Sequence, residues 1–324
     1  PLDRPCGFSH KAWLENAISG GSRVSNKIAL SIVIPSYNSS RVIAHCLDSL
    51  APALERPDVE VIVVDSSDDG TDALIRGRFP RVQLHHVPQR VFPGPARNIG
   101  ARLAKSDVLA FIDADCVAAP DWATAVLQVF REHPEESACV GCVANHNPGS
   151  LVGWVSFITE FNGYFGRQQR RAVTALPTFS TTFKRDVFMK YGGFPEDVAW
   201  LEDMIFCAKL LQGGERLFLE PAILVHHHNR SEWGRFIHHQ YRLGQFFAHS
   251  RFDADLPGAS ALRKSGFSIP LLAAWRGWKA YQRSFQGSAA VGMLLVLFAP
   301  LYGLGVIYWM FGVAKGRREC AGKT

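Results

Sequence analysis

The sequence predicts an α/β fold, a mainly parallel central sheet flanked by helices and followed by a membrane-associating helical tail. Three observations carry that prediction. Apolar, β-branched runs alternate with segments of helical spacing from Leu30 to His133. Polar and acidic residues gather just after the carboxyl ends of those runs, where open α/β sheets bind ligands. From Leu256 to Arg318 there is no Asp or Glu, while eight basic residues interleave with aromatic and aliphatic ones.

The opening strand, Leu30–Ile34, is a continuous apolar run of the kind that parallel sheets bury on both faces, and Pro35 ends it. Arg41–Leu54 carries Val42, Cys46, Leu47, Leu50 and Leu54 at helical spacing. A second buried strand, Val59–Val64, runs into Asp65-Ser-Ser-Asp-Asp-Gly-Thr71, and a helix follows to about Arg78. Val82–His86 is a short third strand, Ala96–Ala104 a helix and Asp107–Ile112 a fourth strand. That strand ends in Asp113-Ala-Asp115, and Asp121–His133 is the next helix. No G-x-G-x-x-G follows the first strand, which disfavours a dinucleotide-binding domain, and no Walker sequence is present.

At 324 residues, 47% hydrophobic and 20% charged, the chain is neither disordered nor a disulfide-stapled miniprotein. The net charge of +6 is uneven. The eight basic residues between Leu256 and Arg318 leave the remainder at −2, so the basic character belongs to the tail and does not point to nucleic acid. The seven cysteines show no framework spacing, and Cys139 and Cys142 among apolar neighbours read as buried thiols on a strand. Residues 1–27 contain no apolar run of signal-peptide type and read as an irregular lead-in.

In the tail, Leu271, Trp275, Trp278, Tyr281 and Phe285 share one helical face, with Arg276, Lys279 and Arg283 on an adjacent stripe. Aromatics beside cations suit a helix lying in a membrane interface. Gly287–Ala314 is uncharged and long enough for one span, yet Pro300 divides it. A single span and a re-entrant hairpin bent at Pro300 both fit. The hairpin keeps both basic clusters on the cytoplasmic side. The expected divisions are a lead-in at 1–27, a catalytic domain at 28–250, a linker at 251–270 and a membrane-associating segment at 271–324.

Four constellations carry chemistry. Asp113 and Asp115 at a buried strand end form a seat for Mg²⁺ or Mn²⁺, which take oxygen ligands, although a solvated acidic turn has the same composition. Glu202 and Asp203 open an apolar helix, either as a capping pair or as a carboxylate base facing a cleft. His226, His227 and His228 follow an apolar strand, and one of them can reach a metal while its neighbours face the other way. Pro93–Gly100 opens a helix whose amides, with Arg97, favour an anion.

Their order identifies the chain further. Ser31-Ile-Val-Ile-Pro-Ser-Tyr-Asn38, Val63-Val-Asp65-Ser-Ser-Asp68-Asp-Gly-Thr71, Ala96-Arg-Asn-Ile-Gly100, Phe111-Ile-Asp-Ala-Asp115, Gly192-Gly-Phe194 and Glu202-Asp203 resemble, in sequence and order, the inverting family 2 glycosyltransferases with a GT-A fold. The resemblance covers roughly Ile28 to His249. It implies that Pro35, Tyr37 and Asp65 hold the nucleotide base and ribose, with Arg97 near the base or diphosphate. It implies that Asp113 lies near ribose and metal, that Asp115 is the main metal ligand, and that Asp203 is the catalytic base with Glu202 helping to place the acceptor. A downstream histidine completes such metal sites; spacing after Val225 favours His227, with His226 and His228 as alternatives. Thr178–Arg185 departs from many relatives, which leaves acceptor contacts there open.

The implied reaction is a metal-dependent, inverting transfer from a nucleotide-diphosphate sugar to an acceptor hydroxyl. A lipid-linked or polysaccharide acceptor at the cytoplasmic membrane face suits the apolar tail. The alternative from another class is a catalytically silent GT-A scaffold at the membrane, which the intact acid pair and D-x-D disfavour. A nucleotidyltransferase lacks the Gly-rich basic loop that grips a triphosphate.

Overall fold

The computed structural model describes residues 27–166, 168–198, 201–253, 260, 262, 266–287 and 289–321, and only the backbone of 251–253 and 286–287. The expected lead-in and much of the 251–270 linker lie outside the described residues.

The strands, in chain order, are β1 (Leu30–Ser36), β2 (Val59–Asp65), β3 (Gln83–His86), β4 (Val108–Ile112), β5 (Cys116–Ala118), β6 (Ala138–Asn145), β7 (Arg171–Val173), β8 (Ser180–Lys184) and β9 (Leu217–His227). They form one sheet in the order β3-β2-β1-β4-β8-β6-β9-β5, with β7 also paired to β9. The first four strands are parallel; the mostly apolar, buried runs of β1, β2 and β4 suit that arrangement, while β3, Gln-Leu-His-His, is the half-exposed edge strand. Beyond β4 the sheet is mixed: β8 is antiparallel to both β4 and β6, β9 is parallel to β6, and β5 is antiparallel to β9. The sheet is therefore parallel in its first half and mixed in its second.

The helices are α1 (Ile43–Ser49), α2 (Ala51–Leu54), α3 (Thr71–Arg78), α4 (Pro93–Leu103), α5 (Trp122–Glu132), α6 (Leu151–Phe161), α7 (Arg185–Lys190), α8 (Glu202–Gln212), α9 (Trp233–Asp253), α10 (Ser268–Gly287), α11 (Ala289–Leu297) and α12 (Ala299–Ala321). The single helix expected over Arg41–Leu54 is two, broken at Leu50, with Pro52 in the first turn of the second. Proline is tolerated there because a first-turn N–H needs no helical acceptor. Cys139 and Cys142 are buried thiols on β6, as expected.

An aromatic cluster ties the two halves of the sheet together. Phe111 on β4, Phe183 on β8, Phe188 on α7, Phe194 in the turn that follows α7, and Phe206 on α8 are all fully buried. Ring centroids are 5.2–5.6 Å apart for Phe111–Phe194, Phe188–Phe206 and Phe194–Phe206. Edge-to-face pairs of this kind add about 0.5–1.5 kcal/mol each beyond area burial. They fix α8 against the strand that ends in Asp113.

In the tail the break falls at Phe298, two residues before the Pro300 expected to cause it. Pro300 sits in the first turn of α12, where it starts a helix instead of ending one. No single described helix is long and apolar enough to cross a membrane; α11 and α12 are so only as a pair, bent by 75°. One side of α12, with Tyr302, Trp309 and Val313, is buried. A Cβ on Gly312 would collide with the Tyr241 carbonyl oxygen of α9, so the small residue lets the two helices meet backbone to backbone. On α10, Leu271, Trp275, Trp278, Tyr281 and Phe285 are exposed together, as the helical spacing predicts.

Candidate active site

A cleft of about 950 Å³ opens beyond the carboxyl ends of β1 and β4 and continues to α9, α10 and α12. Pro35, Tyr37, Arg97, Asp113, Asp115, Glu202, Asp203 and His227 all line it. Residues distant in sequence are thus brought to one surface by the sheet order.

The metal seat follows from strand register. Asp113-Ala-Asp115 is the turn between β4 and β5, closed by the Cys116 amide donating to the Asp113 carbonyl at 3.0 Å. β5 then pairs with β9 so that Cys116 is opposite His227, and the His228 amide donates to the Asp115 carbonyl at 2.9 Å. This places His227 Nε2 3.4 Å from Asp115 Oδ1. Two donors each about 2.1 Å from one ion, at 90–109° to each other, would lie roughly 3.0–3.4 Å apart. The His227 ring is oriented from behind, since its Nδ1 lies 3.1 Å from Asn229 Oδ1, the support that metal-binding histidines commonly have. The residues present therefore fit a divalent ion. His228 faces the other side of the strand, its ring 3.9 Å from that of His146 and 5.3 Å from that of His45. Burial depresses its pKa to about 4. The choice among the three histidines, open in the sequence, is made by strand alternation.

Asp113 and Glu202 share one cation. Arg97, 2% exposed, donates from Nη2 to Asp113 at 2.6 Å and from Nη1 to Glu202 at 2.8 Å. Burial opposes its charge, and the Asp113 and Glu202 carboxylates more than offset that. Asp203 stands at the cleft wall without such a cation of its own. Burial, and next the adjacent Glu202 charge, raise its pKa to about 7. Two neighbouring acids thus have different environments, one ion-paired and one poised to exchange a proton near neutrality.

The sequence motifs around them are clamps. Asn98 of Ala96–Gly100 accepts from the Phe194 amide at 3.0 Å and donates to the Phe194 carbonyl at 2.8 Å. Gly193 adopts φ 70°, and a Cβ there would sit 2.6 Å from Asn98 Oδ1. The Gly-Gly-Phe turn is therefore locked onto α4, with Arg97 5.8 Å over the Phe194 ring. Leu201, immediately before the acid pair, has φ 64°. A non-glycine residue in that region stores strain of about 1–3 kcal/mol and clusters at functional sites.

At the other wall, Asp65 is fully buried and stands behind the cleft surface. It accepts from Ser67 N at 3.2 Å and Ser67 Oγ at 2.5 Å, and lies 2.9 Å from His86 Nδ1. Ser67 Oγ in turn accepts from the Asn38 amide at 2.7 Å. Asp65 thereby shapes the two loops that present Tyr37. Over the Tyr37 ring lies the Arg90 guanidinium, 4.4 Å from the centroid. Arg90 lines the cleft and was not visible as a site residue in the sequence, because it lies outside every recognised motif.

A second missed group is Glu160 on α6. It accepts from Arg230 at 3.0 and 3.1 Å and from Ser156 Oγ at 2.9 Å, with His239 Nε2 at 3.5 Å. Burial alone would raise its pKa, yet the cations, Arg230 first, hold it well below the usual carboxylate range. A lone acid in the apolar run Leu151–Phe161 was the signal that could have found it.

A family model described as Glycosyl transferase family 2 matches residues 31–192, half of the chain. Among curated proteins, the chain is 34% identical to a validoxylamine A glucosyltransferase of Streptomyces hygroscopicus subsp. limoneus over 124 residues, covering 37% of this chain and 27% of that protein. It is 24% identical to the O-antigen chain rhamnosyltransferase RfbN of Salmonella typhimurium over 221 residues, covering 64% and 70%. Among solved structures, a mannosyltransferase from Pyrobaculum calidifontis in complex with GDP-Man and Mn²⁺ superposes with a TM-score of 0.56 at 23% identity, over 90% of this chain and 87% of that one. That likeness shows the GT-A fold. With four of the six motifs lining one cleft, and the family model spanning four of the six in full and Gly192 of the fifth, the chain belongs to glycosyl transferase family 2.

Proposed function

We propose that this protein is a metal-dependent, inverting glycosyltransferase. It moves a sugar from a nucleotide-diphosphate sugar to a hydroxyl of a lipid-linked or polysaccharide-type acceptor at the cytoplasmic membrane face. The observation that carries the reading is Asp203, a carboxyl with a pKa near 7 in the same cleft as the Asp115–His227 seat. Asp203 accepts the proton of the acceptor hydroxyl as that oxygen attacks the anomeric carbon from the side opposite the leaving diphosphate. One displacement inverts the centre, and no covalent intermediate is required. Arg97 keeps Glu202 and Asp113 fixed in place while the proton moves. Asp115 and His227 would hold Mn²⁺ or Mg²⁺, with Asp113 nearby on Arg97, and the ion when bound would neutralise charge on the leaving diphosphate. Tyr37 and Arg90 offer a stacking surface to the nucleotide base.

The solved neighbours support the donor class. One was solved with GDP-Man and Mn²⁺, and a second, TarS from S. aureus (TM-score 0.52, 17% identity), with UDP-GlcNAc. A Haloferax volcanii relative, 26% identical over 221 residues, is a glucosyl-dolichyl phosphate glucuronosyltransferase, which supports a lipid-linked acceptor. The exposed aromatic face of α10 supports membrane association.

The test is a thermal-shift screen of UDP-, GDP- and dTDP-sugars with Mn²⁺, followed by turnover of Asp203→Asn with the donor that binds. Asp203→Asn is expected to retain donor binding and to lose about 10²–10⁴-fold in kcat, the range for removing a general base. Normal turnover in the variant would sink the base assignment, and no donor binding at all would favour a silent scaffold.

A further inference from the structure

We propose that Lys279 and Arg283 form an anion subsite on the α10 wall of the cleft, which binds the phosphate of a lipid-phosphate-linked acceptor. The inference rests on the glycosyl-transfer reading and narrows its acceptor class.

The helical spacing of Arg276, Lys279 and Arg283 puts them on one face of α10, and that face lines the cleft that holds Asp203. Arg276 is already engaged: it donates to Gln240 Oε1 at 3.0 Å and lies 4.9 Å over the Trp309 ring. Lys279 and Arg283 have no ion-pair partner among the described residues. The cleft's nearby acid does not serve them, because Glu160 is taken by Arg230. The site is also built to receive the Arg283 stem. Gly163 has φ 97°, and a Cβ there would sit 3.3 Å from Arg283 Cδ.

The second stripe of α10 says what kind of anion fits. Leu271, Trp278 and Phe285 are exposed on the neighbouring face, an apolar surface suited to the bilayer interface. With that stripe in the interface, the adjacent cations lie at phosphate depth. The cleft then leads from phosphate depth to the base. An acceptor with its lipid in the bilayer, its phosphate at the surface and its sugar hydroxyl at Asp203 matches all three features. A neutral soluble glycan would leave the two cations without a counter-charge.

The test uses the full-length protein in neutral detergent and measures binding of farnesyl phosphate and of farnesol by calorimetry, with Mn²⁺–UDP and Mn²⁺–GDP as donor-side controls. The wild type is expected to prefer farnesyl phosphate by at least about tenfold, the effect of one charge-assisted contact. Lys279→Gln/Arg283→Gln is expected to erase the preference and leave nucleotide binding intact, whereas Lys279→Arg/Arg283→Lys keeps it. Persistence of the preference in the glutamine variant overturns the proposal. So does competition by inorganic phosphate as strong as that by farnesyl phosphate, which would mark a free-anion site. Weakened binding of the glutamine variant to phosphatidylcholine–phosphatidylglycerol vesicles, with the farnesyl phosphate preference unchanged, assigns the cations to headgroups and also overturns it. Retained nucleotide binding with no phosphate preference in the wild type defeats this proposal alone. Absent nucleotide binding defeats the glycosyl-transfer reading and this inference with it.

Discussion

Two walls of the cleft, one carrying Arg97 and its acids and the other α10, handle charge in opposite ways. On the catalytic wall the buried cation has its acids: Arg97 lies between Asp113 and Glu202 at 2.6 and 2.8 Å. On the α10 wall Lys279 and Arg283 face the same cavity with no ion pair among the described residues. A closed network fixes geometry before any ligand arrives, and an open one draws its counter-charge from the ligand. The catalytic wall is therefore preorganised for chemistry. On the acceptor proposal, the α10 wall is the one that draws its counter-charge from a ligand.

The sharpest way to break this contrast is Arg97→Gln. It leaves two carboxylates without their cation in a site that is 3% exposed at the arginine side chain. A loss of about 3–5 kcal/mol in unfolding free energy is expected, as for breaking a buried pair by removing one partner. A change below about 1 kcal/mol in chemical denaturation would show that the network is not closed. Next comes Asn229→Ala, which frees the His227 ring held at 3.1 Å. Mn²⁺ affinity, read by titration calorimetry, is expected to fall about 10–100-fold. An unchanged affinity would remove His227 from the metal seat.

Gly312→Ala probes the tail's docking on α9. Alanine raises helix propensity by up to about 1 kcal/mol, but its Cβ has no room beside the Tyr241 carbonyl. A net destabilisation of about 1–3 kcal/mol is expected from overpacking, and a stabilised variant would show that the helices part easily.

The pH dependence probes Asp203 directly. With the Asp203 pKa raised to about 7, kcat should fall roughly tenfold per unit below that pH and level off above it. Stability runs the other way. Between the ordinary carboxylate pKa near 4 and about 7, the folded state holds a proton that the unfolded state has lost, so stability declines as pH rises through that window. Asp203→Asn removes the decline, and the variant should melt higher than wild type at pH 8. A melting temperature lower than wild type at that pH would contradict the raised pKa.

Much of the catalytic wall was legible in the sequence because its local patterns have local causes. The buried strand runs, the D-x-D turn and the helix opening on Glu202-Asp203 each form from neighbouring residues, and all appear where the sequence puts them. Other parts were illegible for physical reasons. β8 is a short strand, Ser-Thr-Thr-Phe-Lys, whose identity depends on β4 and β6 at its sides. Glu160, Arg90 and Asn229 acquire meaning only from partners many residues away. The tail shows both behaviours on one helix. The aromatic face of α10 follows from spacing alone, while the cations read as a surface stripe turn out to line the cleft.

The sequence by itself determined the first, parallel half of the sheet, the motif set that marks family 2 and the basic, aromatic tail. Periodicity and composition act locally, so they can be read one residue at a time. The tertiary structure decided which histidine meets Asp115, which acid of the Glu202–Asp203 pair is tied to Arg97 and which wall of the cleft the tail's cations line. Those outcomes depend on strand register, on one arginine shared by two carboxylates and on helix packing against the cleft. Each sums forces between residues that only the folded chain brings within reach.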